Sequence, residues 1–89
     1  MKREALHKEV IEINGIDHQL FKYYEESGEL SHALNKARTR KTGKNLDHLA
    51  EEIADVELRL EALKVIFGVE GATKQWKKHK TKRLKKRKR

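Results

Sequence analysis

The chain has 89 residues, a length that predicts one small domain. It contains no cysteine, which excludes disulfides and thiolate sites, so any metal must be held by oxygen or imidazole ligands. It has no apolar stretch of about 18 residues, the length that would suggest a membrane span, and its charged N-terminus is not followed by an apolar run. We therefore expect a soluble, cytoplasmic protein that makes no contact with a membrane.

The net charge of +8 is unevenly distributed along the chain. The segment 74–89 holds eleven of the 22 Lys and Arg residues and no Asp or Glu. The segment 1–73 combines the other eleven with all fourteen acidic residues, a net charge of −3. We therefore divide the chain into a helical domain, 1–73, and a basic C-terminal helix or tail, 74–89. Runs of like charge are often solvated, and some of them bind polyanions.

The first half of the chain predicts two helices. Proline is absent and no alternating strand pattern occurs, so the predicted class is all-α. A short amphipathic helix is expected over about 3–13, and after Gly15 a longer one to about Arg38, with Asp17 as its cap or in its first turn. Apolar or small side chains recur along the longer helix at steps of four and three. They are Ile16, Leu20, Tyr23, Ser27, Leu30, Leu34 and Ala37.

A third helix follows a polar loop over 39–44, with Asn45 as its predicted N-cap. Its apolar line is Leu46, Leu49, Ile53, Val56, Leu60, Leu63 and Phe67. Two such lines joined by a short loop predict an antiparallel helical hairpin, and dimerisation into a four-helix bundle would cover the apolar surface that remains. Gly68 and Gly71 are expected to end this helix. Thr73 is the predicted cap of a last helix, in which Trp76 covers the core or stacks on a base.

Two acidic pairs are the candidate metal ligands of the sequence. Glu26 and Glu29 lie three residues apart, as do Glu52 and Asp55, so each pair occupies one helix face. We expect both pairs beside the apolar lines and at similar height in the hairpin. Carboxylate oxygens are ligands that Mg²⁺ prefers, and Mg²⁺ usually accompanies a phosphate substrate. The alternative is a solvated charged face, because 40% of the residues are charged.

Gly28 favours the functional interpretation of the first pair. Glycine inside a helix costs about 1 kcal/mol relative to alanine. Together with Ser27 it leaves room for a ligand near the backbone between the two glutamates. By contrast, the five histidines share no zinc-binding pattern. Lys36, Arg59 and Lys64 are possible phosphate contacts, although exposed cations need no special explanation.

The chain resembles the MazG-like nucleoside triphosphate pyrophosphohydrolases of the all-α NTP pyrophosphatase superfamily. The family's mark is Glu-Glu-x-x-Glu followed by Glu-x-x-Asp, and here these motifs are Glu-Glu-Ser-Gly-Glu at 25–29 and Glu-Glu-Ile-Ala-Asp at 51–55. The resemblance covers about residues 10–70. It implies hydrolysis of a nucleoside triphosphate between its α and β phosphates, by a homodimer or tetramer.

The resemblance also implies roles for individual residues. Glu26, Glu29, Glu52 and Asp55 would bind Mg²⁺, with Mn²⁺ as a possible substitute. Glu25 and Glu51 match positions of a general base or an outer ligand, or else belong to a solvated face. Lys80 and Arg83 match basic positions that some relatives place near the triphosphate. A function of another class stays open: a non-catalytic helical module that binds nucleic acid or another polyanion through 74–89.

Overall fold

A computed structural model describes residues 2–88 and contains four helices. They are α1 (Glu4–Asn14), α2 (Ile16–Thr39), α3 (Gly43–Phe67) and α4 (Glu70–Arg87). The predicted all-α class is confirmed, since these residues contain no strand. Met1 and Arg89, the outer limits of the two predicted regions, lie outside the described residues. Within 2–88, no helix combines the length and the apolar composition that crossing a membrane requires.

The turn between α2 and α3 is tighter than predicted. Thr42 caps α3, because its side-chain oxygen accepts a hydrogen bond from the backbone N–H of Asn45 at 3.1 Å. The prediction that Asn45 is the cap is therefore wrong. The Asn45 side chain instead donates to the carbonyl of Arg40 at 2.9 Å and so braces the turn. Threonine, like asparagine, is a favoured N-cap residue, and Thr42 has the extended backbone that a cap requires. The helix therefore starts at Gly43.

Gly68 ends α3, as predicted, with a φ of 62° in the left-handed region. Gly71 lies inside α4 and does not end α3. Thr73 is not the cap of α4, because α4 has already begun at Glu70 and the Thr73 hydroxyl donates to the Val69 carbonyl at 2.7 Å. Trp76 is 61% exposed, so it does not cover the core.

Helices α2 and α3 form the predicted antiparallel hairpin. Gln19, early in α2, contacts Arg59, late in α3, whereas Glu26 further along α2 lies beside Asp55. The inner face differs from the predicted apolar lines. Fully buried positions on it include Gln19, Ala33 and Ala37 of α2 and Glu52, Val56 and Ala62 of α3. Small alanines face inward and let the two backbones approach closely. With the helices in this rotation, several predicted core residues face outward.

Half of the Leu, Ile, Val, Phe and Tyr residues of the predicted lines are exposed at the surface of the single chain. Leu60 is 41% exposed and Phe67 is 62% exposed. The other markedly exposed members of the two lines are Ile16, Leu34, Leu46 and Ile53. The remaining members of the two lines are buried or half-buried, so one hairpin covers the lines only in part, which agrees with the prediction that apolar surface remains. On α3 the exposed members recur every seven residues, so they form one stripe along the helix.

Helix α1 packs mainly on α3, and an ionic cluster fastens its first turn. The Arg3 guanidinium donates to one Glu61 oxygen at 2.8 Å, and His7 Nε2 lies 2.9 Å from the same oxygen. Hydrogen bonds from Arg3 and His7, together with their charges, lower the pKa of Glu61 to about 2. Glu61 is therefore the anion that anchors α1 to the hairpin.

We expect Glu61→Gln to lower the melting temperature near neutral pH by several degrees. The pKa of Glu61 is lower in the folded chain than its ordinary value of 4.5, so its stabilisation is present above that pH and is lost as the pH falls toward 2. The melting temperatures of the original chain and of Glu61→Gln should therefore converge as the pH falls from about 5 to about 2. Glu12→Gln, at an exposed position of α1, is the control. A difference that persists undiminished at the lowest pH would contradict this role.

Candidate metal centre

Three carboxylates from the two hairpin helices converge. Glu26 of α2 meets Glu52 and Asp55 of α3, and each residue offers one oxygen within 4.8 Å of the others. Glu52 is only 5% exposed, while Glu26 and Asp55 are half-buried. The antiparallel hairpin positions them, because residues equally far from the turn along each helix lie at the same height. The two pairs were predicted beside the apolar lines and at similar height, and Glu26, Glu52 and Asp55 do come together at one height of the hairpin.

Two buried oxygens of the carboxylate cluster lack hydrogen-bond partners among the described residues. They are Glu26 Oε2 and Glu52 Oε2. Burial raises the pKa of Glu26, and the nearby charges of Asp55 and Glu29 and a hydrogen bond to Glu29 raise it further. A buried acceptor without a partner costs about 1–3 kcal/mol. Orphaned oxygens on a set of carboxylates are what a hard cation would satisfy, so these residues fit a divalent metal.

Arg59 borders this cluster, and Gln19 is its hydrogen-bond partner. The role of Gln19 was not predicted from the sequence. Arg59 Nη1 donates to Gln19 Oε1 at 3.2 Å, and Gln19 is almost fully buried. The positive charge of Arg59 partly opposes the rise in the pKa of Glu26. Arg59 follows Asp55 by one helical turn, which is the signal that places both on the same face of α3. Its position makes it a local counter-charge for the carboxylates.

A cavity of about 560 Å³ adjoins the carboxylates. Its lining residues are Glu25, Gly28, Glu29, His32, His48 and Glu52. A Cβ built on Gly28 meets no atom within 4 Å, in agreement with the expected room at this position. Ser27 contributes nothing to the cavity, because its hydroxyl donates to the Tyr24 carbonyl at 3.1 Å. The cavity thus brings Glu29 beside the carboxylate cluster.

The two candidate base or outer-ligand residues differ in their surroundings. Glu25 lines the cavity and forms an exposed ion pair with Lys22 at 3.1 Å. Glu51 is exposed and belongs to a second group of possible ligands with His48 and Glu52. His48 was not among the predicted site residues. Its position three and four residues before Glu51 and Glu52, which puts all three on one face of α3, is the sequence signal that indicates it.

The predicted phosphate contacts Lys80 and Arg83 lie elsewhere in the chain. They line a separate cleft of α4 together with Leu84 and Arg87. Among the described helices, α4 approaches only α3. The structure of one chain therefore does not bring these two cations to the carboxylates, and their role toward a triphosphate stays a prediction.

Comparison with known proteins adds no assignment. Scans against models of protein families, curated proteins and solved structures found no match to this chain. The resemblance to MazG-like enzymes therefore rests on the two acidic motifs, at 25–29 and 51–55. The case for a metal centre rests on the geometry of Glu26, Glu52 and Asp55.

We expect Glu26→Gln to stabilise the metal-free chain by about 1 kcal/mol, because it removes a buried negative charge that its neighbours repel. The pKa of Glu26 is raised in the folded state, so its ionisation destabilises the fold as the pH rises through that value. The same variant should lose the increase in melting temperature that divalent cations give the original chain. Differential scanning calorimetry with Mg²⁺ and with a chelator measures both effects.

Glu12→Gln makes the same charge change at an exposed site and should leave both quantities unaltered. An apo variant that is less stable than the original chain would show that Glu26 has a favourable partner. A metal-induced rise in melting temperature that survives in Glu26→Gln would remove this residue from the ligand set.

Proposed function

We propose that the chain is a metal-dependent nucleoside triphosphate pyrophosphohydrolase that releases a nucleoside monophosphate and pyrophosphate. The observation that carries this proposal is the convergence of Glu26, Glu52 and Asp55 with two buried oxygens that lack partners. The order of the two acidic motifs supports the same conclusion. A purely structural role for this cluster is disfavoured, because like charges placed together between two helices weaken the hairpin.

Glu26, Glu52 and Asp55 would hold Mg²⁺, with Glu29 at the edge of the site. Carboxylates ligate Mg²⁺ and Mn²⁺ alike, so Mn²⁺ is the expected substitute. A bound Mg²⁺ supplies a counter-charge for the triphosphate and lowers the pKa of a ligated water. The residues of the chain contribute available acceptors, since within 2–88 none of the three carboxylates forms a hydrogen bond or ion pair with Arg or Lys.

The adjoining cavity is the proposed binding place of the substrate. Its volume of about 560 Å³ lies within the usual range of about 300–1,000 Å³ for small-molecule sites. Gly28 leaves its α2 wall open beside Glu29. Glu25 and Glu51 are the two candidates for accepting a proton from the attacking water. Both are exposed to solvent, as a group that exchanges protons with water needs to be.

The proposed active form is a homodimer or a larger oligomer. The stripe that includes Leu60 and Phe67 on α3 leaves large apolar side chains exposed in the single chain. An apolar stripe with a heptad spacing is suited to packing against another helix pair, which would complete a four-helix bundle. Among the described residues, the buried apolar side chains are three alanines and one valine, so a second copy would supply the missing core.

The activity predicts pyrophosphate release from at least one member of a panel of ribo- and deoxyribonucleoside triphosphates. Release should require Mg²⁺ or Mn²⁺ and should stop on chelation. Glu52→Gln and Asp55→Asn should each reduce kcat/KM at least a hundredfold, because each removes a ligand of the metal. An enzyme-coupled assay of pyrophosphate measures the rates, and circular dichroism checks that the variants fold.

Glu57→Gln is the matched control, since Glu57 is an exposed residue of α3 outside both groups of possible metal ligands. It should keep nearly full activity. Normal turnover by folded Asp55→Asn would overturn the assignment of the catalytic site. Failure of the original chain to release pyrophosphate from any nucleotide, with metal binding intact, would reject the reaction but leave the metal centre.

The proposed dimer predicts that Leu60→Glu shifts the chain toward monomer, because the charge would be buried in the new interface. Sedimentation equilibrium over a range of protein concentrations measures the change. Lys36→Glu, at an exposed site of α2, introduces the same acidic side chain and should preserve the assembly. A monomeric original chain at high concentration would contradict the proposed bundle.

A second candidate function is binding of a nucleic acid or another polyanion by α4. The specific observation is that α4 is exposed along nearly its whole length and approaches only α3, which leaves its cations accessible. Binding to duplex DNA should weaken steeply as salt rises, since each neutralised phosphate releases counterions. Fluorescence anisotropy should also show that removing residues 74–89 abolishes binding. Retained binding by the truncated chain would exclude α4 as the interface.

A further inference from the structure

A second group of possible ligands lies on α3 beside the carboxylate cluster. His48, Glu51 and Glu52 each offer one atom within 4.8 Å of the others. Their spacing of three and four residues places them on one face within a single helical turn. Glu52 belongs to both groups, because it also meets Glu26 and Asp55. The two groups are therefore contiguous and share one carboxylate.

The shared carboxylate has unused binding capacity. Glu52 Oε1 lies 3.6 Å from His48 Nε2, a separation too long for a good hydrogen bond. Glu52 Oε2 is buried and has no hydrogen-bond partner among residues 2–88, and the residue as a whole is 5% exposed. Such an oxygen on a nearly buried side chain indicates an absent ligand. A carboxylate has two oxygens, so Glu52 is able to serve a cation in each group.

The surrounding cavity provides the space that a second cation needs. His48 and Glu52 line it together with Glu29 of α2. Position 28 in the same wall is glycine, so no side chain fills the space there. The His48 side chain is 39% exposed and the Glu51 residue is exposed, which gives an ion access from solvent. Water or substrate oxygens would complete the coordination that three side chains leave open.

We propose that His48, Glu51 and Glu52 form a second cation site, which shares Glu52 with the carboxylate site and selects a transition ion such as Co²⁺ or Zn²⁺ over Mg²⁺. The selectivity follows from the imidazole ligand. Imidazole suits borderline ions of this kind, whereas Mg²⁺ prefers sites made only of oxygen. The site occupies the cleft of the proposed pyrophosphohydrolase, but its metal binding does not depend on that reaction.

The test is a titration of the full-length chain with Co²⁺ in the presence of excess Mg²⁺ and without nucleotide. Isothermal calorimetry gives the stoichiometry, and the visible absorption of Co²⁺ reports its ligands. We expect one Co²⁺ per chain that Mg²⁺ does not displace. His48→Gln should weaken this binding at least about tenfold and change the spectrum, because the nitrogen ligand is lost.

Two variants make the result specific. His32→Gln replaces the other histidine of the same cavity and should leave affinity and spectrum unchanged. Glu26→Gln lies outside the His48 group and should retain the Co²⁺ that resists Mg²⁺. The proposal is overturned if the original chain binds no Co²⁺ under these conditions, or if His48→Gln and the original chain bind it equally. Co²⁺ binding that persists while pyrophosphate release is absent would support this site and reject the proposed reaction.

Discussion

The burial of carboxylates between α2 and α3 is the constraint on which the rest of the structure depends. Glu26 and Glu52 occupy inner positions that apolar side chains fill in an ordinary hairpin. Their mutual repulsion and their loss of water both oppose folding. Arg59 and Gln19 reduce this effect at one end of the cluster, through a counter-charge that a buried amide holds in place. The negative charge that these two residues leave unneutralised is the physical reason to expect a cation.

The alanines toward the α2–α3 turn complement this arrangement. Ala33 and Ala37 are fully buried, so the helices approach closely where no charge has to be accommodated. Glu26 and Glu52 lie further from the turn, and the cavity lined by Gly28 and Glu29 adjoins them. The exposed stripe on α3 is a consequence, because helices that turn their small and acidic residues inward turn their large apolar residues outward.

The number and type of helices and the antiparallel hairpin were predictable from the sequence, because periodic apolar residues and a short polar loop are local signals. The rotation of each helix about its own axis, which decides the residues that face inward, was not predictable from the sequence. Leu34 and Ala33 are both apolar and differ by about 100° around the helix, so periodicity alone does not decide which faces inward. The hairpin buries the alanine and exposes the leucine. The cap at Thr42 was missed for a related reason, since threonine and asparagine are both good N-caps.

The site was predictable in its chemistry and only in part in its composition. Carboxylates spaced at three residues identify Glu26, Glu52 and Asp55 as possible metal ligands. His48 could have been found from its spacing of three and four residues before Glu51 and Glu52, whereas the contribution of Gln19 depends on a contact that no local motif records. Gln19 is forty residues from Arg59 in the chain and reaches it only through the antiparallel register. Likewise, the distance of Lys80 from the carboxylates follows from the direction in which α4 leaves α3, which sequence periodicity does not specify.

Two residues connect α3 to α4, Gly68 with its left-handed backbone and Val69, and α4 departs from α3 at this short connection. Because α4 makes few other contacts with the body, changes in its length would alter the reach of its cations without altering the carboxylate centre. Each inserted residue would advance the distal charges by about 1.5 Å and turn them by about 100°. The reach of the basic helix is therefore adjustable by its length alone, while the packing of α2 against α3 stays unchanged.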